Sequence, residues 1–279
     1  HRVLVPLLGD HRRALVGAAA ATLLGATAFT VWNQSNVNEK VYTLSVLVIA
    51  AVTWLGVRWR DMRAQEGSER YLLWAVFLMV LGSTNHLMSV LPLPAMAALV
   101  LVTEPLAVFR PRFLARAVAL AILGLSFNFF IPVRAANHPV INEGEATCET
   151  FVGAATAVFT NGAAGCDALA YNLARKQYGK PPVTERMAPF RAQLSNYFQY
   201  FDWQWARGLD PSELHSPARL PFTLLFLLLG FLGLWAAWRA DRGVFTYLTV
   251  LGGTLTLGLV YYLNFKYGFS LAPEVADRG

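Results

Sequence analysis

The stretch Pro221-Phe222-Thr223-Leu224-Leu225-Phe226-Leu227-Leu228-Leu229-Gly230-Phe231-Leu232-Gly233-Leu234-Trp235-Ala236-Ala237-Trp238 decides the fold class. It contains no charge, and a helix needs about 20 largely apolar residues to cross a hydrocarbon core, with roughly 17 to 25 tolerated. A short link carrying Arg239 and Arg242 leads to a second apolar run, Val244 to Leu263. Upstream, Ala14 to Trp32, Val41 to Val57 and Phe113 to Ile131 also reach spanning length. The composition agrees: 56% of the 279 residues are hydrophobic, 14% are charged, and mean hydropathy is +0.43. A soluble domain carries about 25% charged residues, so a soluble globular enzyme is excluded. Disorder, which needs low hydrophobicity, is excluded too.

Tyr71 to Val102 is too long for one upright span, at about 48 Å of helix for about 1.5 Å per residue. Gly82-Ser83-Thr84-Asn85-His86 interrupts it, and Pro92 and Pro94 follow. Glycine, proline and polar residues break helices. The run therefore reads as two short helices, Tyr71 to Leu81 and Leu87 to Leu101, around a polar tip. Broken helices are tolerated at membrane depth where their backbone lines protein or a wet cavity.

These runs make about seven membrane helices, and charge sets their direction. Arg58, Arg60, Arg63 and Arg70 share one short loop, and Arg110, Arg112 and Arg116 share another. Arg239 and Arg242 flank a third, and Arg2, Arg12 and Arg13 precede the first run. One alternation puts all of them on a single side, which the positive-inside rule makes cytoplasmic. The expected organisation is membrane helices over 1–131 with a broken hairpin at 71–102, then a folded extracytoplasmic loop over 132–220. Two membrane helices over 221–265 and an extracytoplasmic tail over 266–279 follow. The net charge of +6 is carried by loops and is no nucleic-acid signal.

Polar residues that are costly near a bilayer gather on the outer side: the run Asn33 to Tyr42, then Ser83 to His86, Arg134 to Asn142, Tyr197 to Arg207, and Asn264 to Tyr267. Aromatic rings can stack on a sugar, amides can bond its hydroxyls, and Arg or Lys can hold a phosphate. Each residue also has an ordinary reading, since Trp and Tyr form interfacial belts and terminal Arg or Lys side chains snorkel. The five histidines, at 1, 11, 86, 138 and 215, show no metal-ligand spacing. Cys148 and Cys166 both lie in the outer loop, where an oxidising compartment favours a disulfide.

Several strings resemble a known family. They are Phe29-Thr30-Val31-Trp32-Asn33-Gln34-Ser35, Asn38-Glu39-Lys40-Val41-Tyr42-Thr43, Thr84-Asn85-His86-Leu87 and Phe130-Ile131-Pro132-Val133-Arg134-Ala135-Ala136. Pro139-Val140-Ile141-Asn142, Gln177-Tyr178-Gly179-Lys180-Pro181-Pro182, Tyr197-Phe198-Gln199-Tyr200-Phe201-Asp202-Trp203-Gln204-Trp205 and Asn264-Phe265-Lys266-Tyr267-Gly268 complete the set. Together they resemble a family of bacterial membrane proteins of unassigned function that is related to the protein O-mannosyltransferases of the GT-C class.

The resemblance implies an inverting glycosyltransferase of a bacterial inner membrane. It would move a sugar from a polyprenyl-phosphate donor to an acceptor hydroxyl, of protein or glycan, on the outer face. The lipid-phosphate sugar is a substrate, and no cofactor or metal is expected. Arg134 and Lys266 would neutralise the donor phosphate, with a hydrogen bond from His86. Asn85, Asn142, Tyr200, Asp202, Trp203 and Trp205 would hold sugar or acceptor. The family's catalytic acid is expected in an outer loop after a further span. This chain has no such loop before its first apolar run, and so reads as a GT-C-like piece truncated at both ends, with Glu39 as the fallback base. The alternative is a non-enzymatic membrane subunit that docks a partner through its aromatic outer loop.

Overall fold

A computed structural model describes residues 3–36, 41–142, 144–179, 182–213 and 216–265. Among the described residues the regular elements are helical, as the apolar runs predict. Short α1 (Leu4–Leu8) precedes α2 (His11–Thr27), which starts where the Asp10 carboxylate accepts a hydrogen bond from the Arg12 amide at 2.8 Å. The first apolar run then bends by 59° into α3 (Phe29–Asn36). Four uninterrupted helical stretches are long and apolar enough to cross a bilayer: Val41–Met62, Pro111–Ala136, Leu220–Ala240 and Arg242–Leu263. The bent pair makes a fifth if its two halves act as one span.

The expected seven helices counted two short ones in a broken hairpin, and the structure has that hairpin beside four or five stretches of spanning length. The run from Tyr71 to Val102 supplies only shorter helices, α5 (Glu69–Asn85) and α6 (Leu93–Thr103). It is broken as expected, but at His86 rather than Gly82. Ser83 and Thr84 stay helical, their hydroxyls satisfied within α5 by donating back to the Val80 and Leu81 carbonyls, both at 2.7 Å. The chain turns at His86, which is extended, and passes through a 3-10 turn, Leu87–Val90.

The first long stretch is α4 (Val41–Met62). The second joins α7 (Pro111–Ser126) to α8 (Phe130–Ala136) through a 3-10 turn. Past the outer loop come α12 (Leu220–Ala240), α13 (Arg242–Gly253) and α14 (Leu259–Leu263), the last two linked by a π-helical turn at Thr254–Gly258. On α12 only Ala237 is buried, while Leu224, Leu228, Phe231 and Trp235 point outward. A helix apolar all round with so little protein contact is lipid-facing. The protein is a multi-pass membrane protein.

The packed centre lies between α4, α5 and α6, with Val52, Leu55, Trp59, Leu72, Met79, Met96 and Leu99 buried together. Tyr247 of α13 joins it and shares a 2.8 Å hydrogen bond with Thr53 of α4. Arginine-rich ends meet at one pole: Arg60 pairs with Asp241 and, at 2.8 Å, with Asp61, while Arg116 pairs with Glu69. The other pole carries the outer loop. There α9 (Phe151–Phe159) and α10 (Asp167–Leu173) are joined by the expected Cys148–Cys166 disulfide. Phe129 roots this lobe on the α7–α8 rod by stacking on Phe151 at 5.7 Å.

Where the 3-10 turn folds back onto α5, a methyl group at Gly82 would lie 2.6 Å from Ser89 Cβ. Small residues permit such close backbone crossings. Gly82→Ala is expected to destabilise the hairpin by about 1–3 kcal/mol through overpacking. A lowered unfolding midpoint in detergent supports this, and an unchanged midpoint rejects it.

Candidate functional site

The sequence-predicted residues fall into three neighbourhoods at the outer pole. The first is the hairpin tip. His86 ends α5 and caps the next turn, its Nδ1 accepting from the Met88 amide at 3.2 Å. An accepting Nδ1 leaves Nε2 as the N–H donor of a neutral ring. Burial, and secondarily the positive charge of Arg175, hold His86 below its ordinary value of 6.5. Its ring packs edge-on against Tyr42 at 5.2 Å. Asn85 donates to the Val41 carbonyl at 3.3 Å and lines an open hollow of about 550 Å³ with Val41, Thr43, Leu44 and Leu47. Glu39 lies outside the described residues.

The second neighbourhood is the last turn of the α7–α8 rod. Arg134 Nη2 donates to the Ile141 carbonyl at 2.7 Å, and Asn142 approaches the Ala135 carbonyl at 3.5 Å. The chain therefore folds back over the rod's end. Among the described residues Arg134 has no carboxylate partner. Phe130 and Val133, in the same helical turn, and Ile141, whose carbonyl it holds, are exposed. This places a cationic head among side chains that suit an acyl or prenyl tail. Nearby, Asn172 of α10 donates to the Gly144 carbonyl at 2.9 Å. Arg175, three residues on, carries the charge that reaches His86.

The third neighbourhood is α11 (Phe190–Ala206). Its inward face is polar, with Gln193, Asn196, Gln199 and Trp203 buried. Trp203 meets Tyr200 edge-on at 5.3 Å, and the Arg207 guanidinium lies 4.1 Å above the Trp203 ring. Trp205 donates to the Leu24 carbonyl at 3.2 Å and stacks on Phe226, so it anchors α11 to α2 and α12. Gln204 pins α11 to α3 by donating to Thr30 Oγ1 at 2.6 Å and accepting from the Thr30 amide at 3.2 Å. Asp202 accepts from the fully buried Arg219 at 2.8 Å and from Thr223 at 2.9 Å. At the other end of α11, Gln193 and the Met187 amide both donate to Asn264 Oδ1, at 3.2 and 3.0 Å. Asn264 is thereby held beside α11, while Lys266 lies outside the described residues.

Sequence reasoning assigned no role to Arg175, Arg207 or Gln199. Arg207 was within reach, since Trp203 stands four residues before it, on the same helical face. Gln199 had no such signal: both its amide atoms are buried without a hydrogen-bond partner. A buried polar group in that state calls for an explanation, and a polar ligand would supply one. Among the described residues no His/Cys/Asp/Glu group is arranged to hold a metal.

Residues 8–107 match the family described as the protein O-mannosyl-transferase TMEM260 N-terminal domain. That stretch is similar to the N-terminal domain of a protein O-mannosyltransferase family. The matched stretch covers the bent pair, α4, α5 and the hairpin, including Tyr42, Asn85 and His86, and it ends before Arg134 and α11. No curated protein and no solved structure gives a significant match.

Two outcomes follow from these contacts. Removing Asp202 strands the Arg219 charge in the interior, so Asp202→Ala should cost roughly 3–5 kcal/mol. Thermal unfolding in detergent checks this, and an unaltered midpoint would free Asp202 for a purely ligand-binding role. His86 is harder to protonate folded than unfolded, so its contribution to stability is present above pH 6.5 and is lost as pH falls below it. His86→Asn, which keeps a capping acceptor, should flatten the slope of stability between about pH 5 and 7. A slope as steep as the parent's rules His86 out as its source.

Proposed function

We propose that this protein is a membrane glycosyltransferase of the protein O-mannosyltransferase type. It moves a sugar from a polyprenyl-phosphate donor to an acceptor hydroxyl on the outer face of a bacterial inner membrane. The observation that carries this reading is the family match over residues 8–107. The placement of Arg134 supports it, because a lipid phosphate needs a cation beside a path for its tail.

In the proposed reaction the acceptor oxygen attacks the anomeric carbon as the bond from that carbon to the phosphate oxygen breaks. The acceptor proton passes to a carboxylate base, and the lipid phosphate leaves with the bonding electrons, inverting the centre. Charge grows on the phosphate, and fixed cations stabilise charge that develops in a transition state. Arg134 fills that role, Lys266 assists it, and His86 acts as a neutral N–H donor. Glu39 is the base proposed within this chain, on the strength of its place between two apolar runs. Tyr200 and Trp203 offer ring faces to sugar or acceptor, and Asn85 and Asn142 offer amides. Asp202 and Trp205 shape that surface by fixing α11.

The rival reading, a non-enzymatic subunit, draws on the outward-facing Phe190, Phe198 and Tyr200 of α11, which could dock a partner. Measuring sugar transfer by the complete protein separates the two. Arg134→Ala should lower the rate by about 10²–10³ with expression intact, the usual cost of deleting one donor to developing negative charge. Arg134→Lys should recover part of the loss. An Arg134→Ala protein as fast as the parent would remove the phosphate role, and no transfer by the parent from any polyprenyl-phosphate sugar would favour the subunit.

A further inference from the structure

The arginine-rich pole carries a second cluster of cationic and aromatic side chains, apart from the outer neighbourhoods. Some arginines there are neutralised: Arg60 by Asp241 and Asp61, Arg116 by Glu69, and Arg110 by Glu104 at 2.9 Å. Arg58 and Arg70 share a neighbour in Tyr71, whose hydroxyl accepts from Arg70 Nη2 at 3.4 Å. Both lie over the Tyr71 ring, at 5.7 and 5.1 Å from its centre, and neither has a carboxylate partner among the described residues. The Arg58 Nε is buried and has no hydrogen-bond acceptor. A buried donor of a cationic group left in that state is costly.

Next to this pair, α4 and α5 diverge to leave a groove of about 460 Å³, lined by Trp54, Leu55, Arg70, Tyr71, Trp74 and Leu78. Trp54 and Trp74 are more than half exposed and form its walls. The groove has apolar walls with two exposed indoles, the Arg70 guanidinium in its lining, and Arg58 beside it over the Tyr71 ring. Its charge complements a phosphodiester, and its length of apolar wall complements acyl chains. Basic pockets between membrane helices on the cytoplasmic side recognise anionic headgroups in this way, and guanidinium forks match phosphate oxygens geometrically.

We propose that the α4–α5 groove binds one anionic glycerophospholipid of the leaflet on the arginine-rich side. Arg58 and Arg70 hold its phosphate, and Trp54, Trp74 and Leu78 pack its chains. The site serves to clamp α4 against α5 and needs no sugar transfer to be tested. The protein is purified in detergent with equal amounts of phosphatidylglycerol and phosphatidylcholine, and retained lipid is counted by native mass spectrometry.

One phosphatidylglycerol should be retained in preference to phosphatidylcholine. Arg58→Gln and Arg70→Gln should each weaken the preference by about fivefold, the factor for one basic side chain at an anionic surface. Chain-brominated lipids give a reading on the unmutated protein. Bromine on phosphatidylglycerol should quench tryptophan fluorescence more than bromine on phosphatidylcholine, and Trp54→Phe with Trp74→Phe should erase the difference. Equal retention and equal quenching of the two lipids by the parent overturns the proposal, as does a preference that survives loss of both arginines.

Discussion

A hydrocarbon layer about 30 Å thick leaves no unpaired backbone amide and no lone charge at its centre, and this constraint sorts the whole chain. Helices bond their own backbone, so they fill the middle; everything polar is driven to one of two poles. At the arginine-rich pole, ion pairs such as Arg60–Asp241 and Arg116–Glu69 tie the ends of α4, α5, α7 and α13 together. At the opposite pole there is more polar chain than helix ends can satisfy, and it folds into a lobe with its own disulfide.

The outer pole shows how structural and chemical duties share residues. His86 closes a helix, caps the next turn and still keeps one nitrogen to donate. Arg219, with no exposed surface, is neutralised by Asp202 and saturated by the Asp210 and Glu213 carbonyls, at 2.5 and 3.0 Å. That knot sets the angle at which α11 leaves α12. The ring surface of Tyr200 and Trp203 is therefore held by a charge pair whose arginine is fully buried. Arg134 differs: one backbone carbonyl steadies it and its charge is unspent.

Much of this was legible in the sequence, for identifiable reasons. Long apolar runs with arginines at alternate ends specify helix, membrane and polarity almost without context, because the bilayer acts on each segment separately. The same logic does not fix where those helices bend. Composition cannot report that the first run kinks at Ala28, or that Ser83 and Thr84 bond back and carry α5 on to Asn85. The cysteine pair was readable from its compartment. Asp202 was not: an acidic residue inside an aromatic string resembles a sugar ligand until its buried arginine is seen.

The sequence alone determined an all-helical membrane protein, its charged pole, its outer lobe and the likeness of its first third to a protein O-mannosyltransferase N-terminal domain. These are properties of segments and strings. Tertiary structure decided which polar side chains are used up and which remain available. Asp202 is held by Arg219, whereas among the described residues Arg134, Arg58 and Arg70 have no carboxylate partner and the Gln199 amide has no hydrogen bond. The physical reason is that hydrogen-bond and charge satisfaction is settled between residues far apart in the chain, and only the packed fold brings them within reach.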